Sequence, residues 1–313
     1  MSFGKRLLRL ALVVLLGEIS IAPSTFAQSY SFQPLTQSAD GYAVGYGINS
    51  VGEIVGTAVS SQSDTVNTFV LNKGSFQTLV FPSAFAYAQT GGINRSQTVV
   101  GWWEGSGGDP NSMFHSFVAI QQGKKPRSFA TFDFPGASAT MANGVNDTSQ
   151  VVGSFTDNVG VVHGFTYKAP NFASIDYPQG VATVANAISD RGEIIGYYED
   201  SSGGLHGFAS VKGKMTPIDF PTSVGLTEAT AVNTAGTVVG IYGQFNGGVP
   251  AAHGFVFNKG IYSTLDYPNA MGTYLVGINT GGNILGYYYG ASCSPPPADE
   301  AAHPCGFVAT PSK

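Results

Sequence analysis

A polar residue followed by Gly seven positions later recurs six times along this chain. The copies are Asn49/Gly56, Asn94/Gly101, Asn146/Gly153, Ser189/Gly196, Asn233/Gly240 and Asn279/Gly286. Their first members lie 45, 52, 43, 44 and 46 residues apart. A unit this short cannot bury an apolar face alone, so it must pack against copies of itself. In the fourth repeat, residues 183–188, 193–198, 206–211 and 215–220 read as strands a to d, the last ending at Pro221. No stretch sustains a 3.6-residue apolar period, so helix is expected only in the N-terminal segment. Four strands per repeat of about 45 residues fit a propeller blade.

The a–b turn has a chemical basis. Asn or Ser at its first position can bond the backbone two residues on, and Gly at the fourth tolerates left-handed geometry. Repeats two and three carry Gln97 and Ser149 instead of that Gly, so their turns are expected to be less regular. The last repeat lacks strand d. Residues 32–36 align with 215–219 and would supply it, removing a sheet edge. The expectation is an all-β, six-bladed β-propeller of roughly 45-residue four-stranded repeats, closed by the N-terminal strand.

Residues 1–27 read as a secretory signal peptide: a basic start (Lys5, Arg6, Arg9), an apolar run over 7–16, and small residues before Gln28. That run is too short to span a bilayer. Residues 28–313 then form a single propeller domain in a secreted or periplasmic protein without a transmembrane segment. This mature chain holds 11 basic and 18 acidic residues, a net charge of −7. Nucleic acid is therefore not an expected partner. Cys293 and Cys305 are the only cysteines, and export makes them candidates for one disulfide.

Strand c opens with His-x-Phe at His115, His163, His206 and His253. Strand d ends in Asp-aromatic-Pro at Asp133, Asp176, Asp219 and Asp266. The repeats without the His, the first and last, also lack the Asp. A His–Asp hydrogen bond across each c–d hairpin explains the joint loss, because a half-buried partner left alone goes unsatisfied. Four histidines on separate blades lie too far apart for one metal. No Gly-x-Ser-x-Gly, His-Glu-x-x-His, phosphate-binding or EF-hand motif is present. No catalytic residue, metal or cofactor is expected, and His303 reads as a surface residue. The Asn-to-Gly turns and His-x-Phe triplets resemble the HAF-type extracellular repeat proteins over nearly the whole mature chain. The middle residue departs, being Gly or Ser rather than Ala. The resemblance implies export and repetition, and no activity.

The b–c segments (59–66, 104–113, 156–162, 199–205, 243–252 and 289–304) read as long, irregular loops, the usual place for function on a rigid frame. Aromatics gather where strand b enters them. The row two after the repeat Gly (Trp103, Phe155, Tyr198, Tyr242, Tyr288) reads as packing. The more variable neighbouring positions, with adjacent acids, supply the candidate ligand site: Trp102, Glu104, Tyr197, Glu199, Tyr287 and Tyr289. The function expected is a monomeric, non-catalytic module binding an extracellular glycan or protein. A hydrolase or lyase acting at the channel mouth and a structural envelope component are the alternatives.

Overall fold

The computed structural model describes residues 28–35, 41–60, 66–83, 85–105, 114–123, 125–244, 251–290 and 303–312. Residues 1–27, Thr36 and Cys293 lie outside them. The described residues form strands and turns without helix, and so contain no helix long and apolar enough to cross a membrane. β1 (Tyr30–Pro34) pairs with the end of the chain, not with its neighbour. β2 (Gly41–Ile48), β3 (Ile54–Ser60), β4 (Val66–Asn72) and β5 (Ser75–Thr78) form an antiparallel a–b–c–d sheet. A second such sheet contains β6 (Phe85–Ile93), β7 (Val99–Gly105), β8 (His115–Ile120) and β9 (Ser128–Phe132). A third contains β10 (Ala139–Val145), β11 (Val151–Thr156), β12 (Val162–Lys168) and β13 (Asn171–Ile175).

The next eight strands belong to one sheet. They are β14 (Ala182–Ile188), β15 (Ile194–Glu199), β16 (Leu205–Val211), β17 (Lys214–Pro217), β18 (Leu226–Val232), β19 (Val238–Gln244), β20 (Ala251–Asn258) and β21 (Ile261–Thr264). The last sheet holds β22 (Gly272–Ile278), β23 (Ile284–Tyr289), β24 (Cys305–Pro311) and, outermost, β1. The inner strands β2, β6, β10, β14, β18 and β22 each touch the next, and β22 touches β2. The molecule is an all-β propeller around a central channel. Its strands fall into five sheets, not six separate ones. Repeats four and five are merged by a single parallel pair, Leu205 and Leu226, held by the Leu205 amide donating to the Gly225 carbonyl at 3.1 Å.

Pairing of β1 on β24 runs from Tyr30 opposite Pro311 to Pro34 opposite Phe307. The Leu35 amide then donates to the Gly306 carbonyl at 2.8 Å, as Ile218 does to Gly207 and Leu265 to Gly254 in other hairpins. Phe32 sets its ring edge-on to Tyr267 and Phe307, with centroids 5.2 and 5.4 Å away. Strand d of the fourth repeat stops at Pro217 rather than Phe220. Pro217 has no N–H, and after the single Ile218 bond the chain turns off the ladder.

The seven-residue anchor has a packing cause. Each repeat Gly lies opposite the Phe of its own strand c: Gly56/Phe69, Gly101/Phe117, Gly153/Phe165, Gly196/Phe208, Gly240/Phe255 and Gly286/Phe307. All six Phe side chains are buried. On its other side the Gly faces a bulge in strand a. A Cβ on Gly196 would stand 1.9 Å from the Val184 carbonyl oxygen, and one on Gly240 would stand 2.6 Å from the Phe255 ring. Only Gly fits between a bulged backbone and a buried ring.

The Asn of the a–b turn acts within its repeat and beyond it. Asn146 Oδ1 accepts from the Thr148 and Gln150 amides, at 3.1 and 2.9 Å. Its Nδ2 donates to the Ser189 carbonyl of the next repeat at 3.2 Å. Asn49, Asn94 and Asn233 reach the Asn94, Asn146 and Asn279 carbonyls in the same way. The turns at Gln97 and Ser149 are as regular as the others. Both residues adopt the left-handed conformation (φ 61° and 60°), and their amides close the turn at 3.0 Å, as Gly52 and Gly236 do. The Asn network imposes the geometry despite the side-chain strain.

Candidate functional site

The antiparallel order puts all a–b and c–d turns on one face and all b–c and d–a connections on the other. The six a–b turns surround one mouth of the channel, which Asn49, Asn94, Asn146, Ser189, Asn233 and Asn279 line. Ile48, Ile93, Val145, Ile188, Val232 and Ile278 belong both to this mouth and to the cavity behind it, forming an apolar waist. That cavity, of about 100 Å³ and open to solvent, is lined higher up by Tyr46, Asn143, Asn186, Thr230 and Val276.

Tyrosines concentrate towards the b–c side. Tyr274 on β22 stacks on Tyr287 of β23, with centroids 4.8 Å apart and 6° between planes. Tyr289 stands nearly perpendicular to both, at 80° and 83°. Glu228, on β18, is half-buried, and no hydrogen bond or ion pair engages its carboxyl among the described residues. Burial pushes its pKa up to about 7. Burial also pushes the Tyr197 hydroxyl up to about 12, with further contributions from Glu228 and Glu199. The Tyr274 and Tyr287 hydroxyls are raised for the same reason, burial first, and both feel Glu228 as well. Glu228 is thus the electrostatic centre of a group drawn from three repeats, and Tyr46 acts on Tyr287 and Tyr289 from a fourth.

The candidates from the sequence divide accordingly. Tyr197, Glu199, Tyr287 and Tyr289 belong to the group around Glu228. Trp102 packs elsewhere, edge-on to Phe114 at 4.9 Å and beside Tyr87 at 5.5 Å, and Glu104 is exposed on β7. Sequence reasoning missed Glu228 and Tyr274. Both lie in strands that otherwise carry core residues, and nothing local marks their shared position.

The structure brings together each His and Asp of the c–d hairpins. Nδ1 of His115, His163 and His253 lies 2.7 Å from Asp133, Asp176 and Asp266, and His206 lies 3.2 Å from Asp219. The four imidazoles also stack on Trp103, Phe155, Tyr198 and Tyr242, with centroids 4.7 to 5.3 Å away. The aromatic after each Asp reaches forward to the next repeat. Phe134, Tyr177, Phe220 and Tyr267 stack on Phe155, Tyr198, Tyr242 and Tyr288 at 3.6 to 3.7 Å. One triplet therefore fixes its own hairpin with the Asp and the neighbouring blade with the ring.

Two of the b–c segments expected to be irregular are tight turns. Asp157 Oδ1 accepts from the Val159 and Val161 amides, and Asp200 Oδ1 from the Ser202 and Gly204 amides. Gly160 and Gly203 take the left-handed position, so these segments repeat the Asx-x-x-Gly chemistry of the a–b turns. Their other oxygens face Nε2 of His163 (3.4 Å) and His206 (3.2 Å). Each of these histidines thus stands between two carboxylates. Desolvation lowers the imidazole pKa, but the bonds and charges of both carboxylates outweigh it and leave His163 and His206 raised. His303 is not a free surface residue: it is half-buried and stacks on Tyr42 at 5.0 Å.

No family model and no curated protein matches the chain. Among solved structures, AofleA from Arthrobotrys oligospora is similar with a TM-score of 0.51 at 11% identity, over 85% of this chain and 84% of that one. The fungal lectin of Aleuria aurantia, a six-bladed β-propeller with a fucose recognition mode, is similar at 0.46 and 8%, over 89% and 97%. A family 25 polysaccharide lyase, an ulvan lyase, is similar at 0.40 and 10%, over 88% and 84%. At these identities the likeness to AofleA is one of fold alone.

Proposed function

We propose that the chain is an exported HAF-type repeat protein of six blades, the merged sheet counting as two, that binds a glycan at the b–c mouth without transforming it. The observation that carries this reading is the mouth itself: Tyr197, Tyr287 and Tyr289, with Tyr274, around the half-buried carboxyl of Glu228. Aromatic walls with a few polar groups are what a small-ligand site needs. Tyrosine faces accept the apolar side of a sugar ring, and a carboxyl near pKa 7 can donate to or accept from a hydroxyl. A glycan array probed with residues 28–313 should return binders. Tyr197→Ala and Tyr289→Ala should each weaken them about tenfold or more. An array without binders, or variants that bind as the parent does, would remove the reading.

Glu228 also favours a second reading, a hydrolase or lyase at the same mouth, because a raised carboxyl suits proton transfer. Release of new chain ends from polysaccharides, abolished by Glu228→Gln, would establish it over the first. The Cys293–Cys305 disulfide belongs to the proposal too. Cys305 opens β24 opposite Tyr288, and among the described residues no cysteine is free. A bridge over so short a loop contributes about 2–3 kcal/mol. Two reactive thiols in unfolded, unreduced protein would exclude it.

A further inference from the structure

All nine Lys and Arg among the described residues lie on one face of the disc. Arg95 and Arg191 sit in a–b turns, and Lys73, Lys125, Arg127, Lys168, Lys212, Lys214 and Lys259 in c–d hairpins. The b–c and d–a connections carry none, although Asp133, Asp157, Asp176, Asp200, Asp219 and Asp266 belong there and Glu104 and Glu199 stand at the strand ends that enter them. The segregation is sharper still in effect. On the basic face, Glu53 is buried among side-chain amides of Asn49, Asn72 and Gln97. The exposed acids Asp147 and Asp190 sit in the inner a–b turns, where they accept neighbouring turn amides, and the half-buried Glu193 closes the fourth of these turns. The lysines stand at the outer rim, because strand d is outermost, and Lys73, Lys125, Lys168, Lys212, Lys214 and Lys259 are all exposed.

Three of these lysines occupy strained positions. Lys73, Lys212 and Lys259 have φ of 48°, 51° and 50°, each followed by a left-handed Gly. The paired conformation is that of a type I′ hairpin turn, whose first residue is favoured as Asn, Asp or Gly. Solubility could be met by charge of either sign on either face, and by Asn at these tips. Keeping Lys there, repeat after repeat, concentrates positive charge around a disc rim.

We propose that the a–b/c–d face docks electrostatically on an anionic lipid bilayer, with the b–c mouth turned away from it. A ring of cations around a disc meets a laterally extended charged surface at many points at once, whereas a linear polyanion would follow only part of the ring. The attraction acts within a Debye length, so only the face held against the bilayer contributes. The proposal is independent of what the b–c mouth binds.

Co-sedimentation of residues 28–313, which hold every strand of the fold, with vesicles tests it. Binding is expected to phosphatidylglycerol–phosphatidylcholine vesicles, to weaken with salt, and to be absent on phosphatidylcholine alone. That result would be notable for a chain of net charge −7. The triple variant Lys73→Asn, Lys212→Asn, Lys259→Asn suits the turn geometry and keeps the fold. It should reduce vesicle binding about tenfold or more. Equal binding to neutral vesicles, undiminished binding by the triple variant, or binding to soluble dextran sulfate without binding to vesicles would each overturn the proposal.

Discussion

At the scale of single residues, titration separates the groups that brace the blades from the one that faces the channel. His163 and His206 hold raised pKa values because each stands between two aspartates. Asp157 and Asp200 are lowered, first by the Val161 amide and the Ser202 hydroxyl respectively, then by further bonds that include the imidazole. A raised imidazole contributes stability that is complete below its unfolded pKa and is lost as pH rises through the folded value. A lowered carboxyl contributes above its unfolded pKa and loses it as pH falls through the folded one. These charge pairs therefore act fully only between the two ranges. NMR titration should place both imidazoles above the ordinary histidine value. His206→Ala should cost only about 1 kcal/mol, since His206 is 32% and Asp219 41% exposed and such pairs are weak. Glu228 has the opposite character: a raised carboxyl favours folding when protonated and is penalised as pH rises through about 7. Glu228→Gln should melt like the parent near pH 5 and at a higher temperature near pH 8. Equal melting at both values would mean that the carboxyl is not desolvated.

Between neighbouring elements, three contacts recur: the repeat Gly under its Phe, the Asn that spans two turns, and the aromatic that reaches into the next blade. The first leaves no room for a methyl group. Gly196→Ala would force the β14 bulge to move and should cost more than about 3 kcal/mol or prevent folding. The second is incomplete at Ser189, whose hydroxyl accepts the Glu193 amide at 3.2 Å but has no amide group to extend to the next repeat. Ser189→Asn should add a bond to the Asn233 carbonyl and raise stability by up to about 1 kcal/mol, seen as a higher denaturant midpoint. At the adjoining turn, Ser149→Gly should be neutral or slightly stabilising, because relief of the left-handed strain opposes the greater freedom of the unfolded chain.

For the molecule as a whole, stability depends on the two ends meeting. β1 covers β24 and sets Phe32 between Tyr267 and Phe307. Deleting residues 28–38 should leave β24 an open edge, lower the melting temperature and promote association of chains. Melting at the parent temperature, without aggregation, would show that the ring does not need this strand.

The spacing of Asn to Gly, the alternating runs and the turn residues determined the repeat, its four strands and the pairing of its ends, since each is a local or periodic property. The joint absence of His and Asp from the same two repeats also pointed to their contact, because the c–d hairpin brings them together within one unit. Only the tertiary structure revealed why Gly is required, where each Asn amide goes, and which ring stacks on which across blades. The same holds for Glu228, whose sequence neighbours are ordinary strand residues. It became the centre of a tyrosine group because ring formation brought side chains from several repeats around one channel. The merging of two sheets through Leu205 and Leu226 arises in the same way. Contacts between residues a whole repeat or more apart depend on how the blades are set around the axis, and no local pattern in the chain encodes that angle.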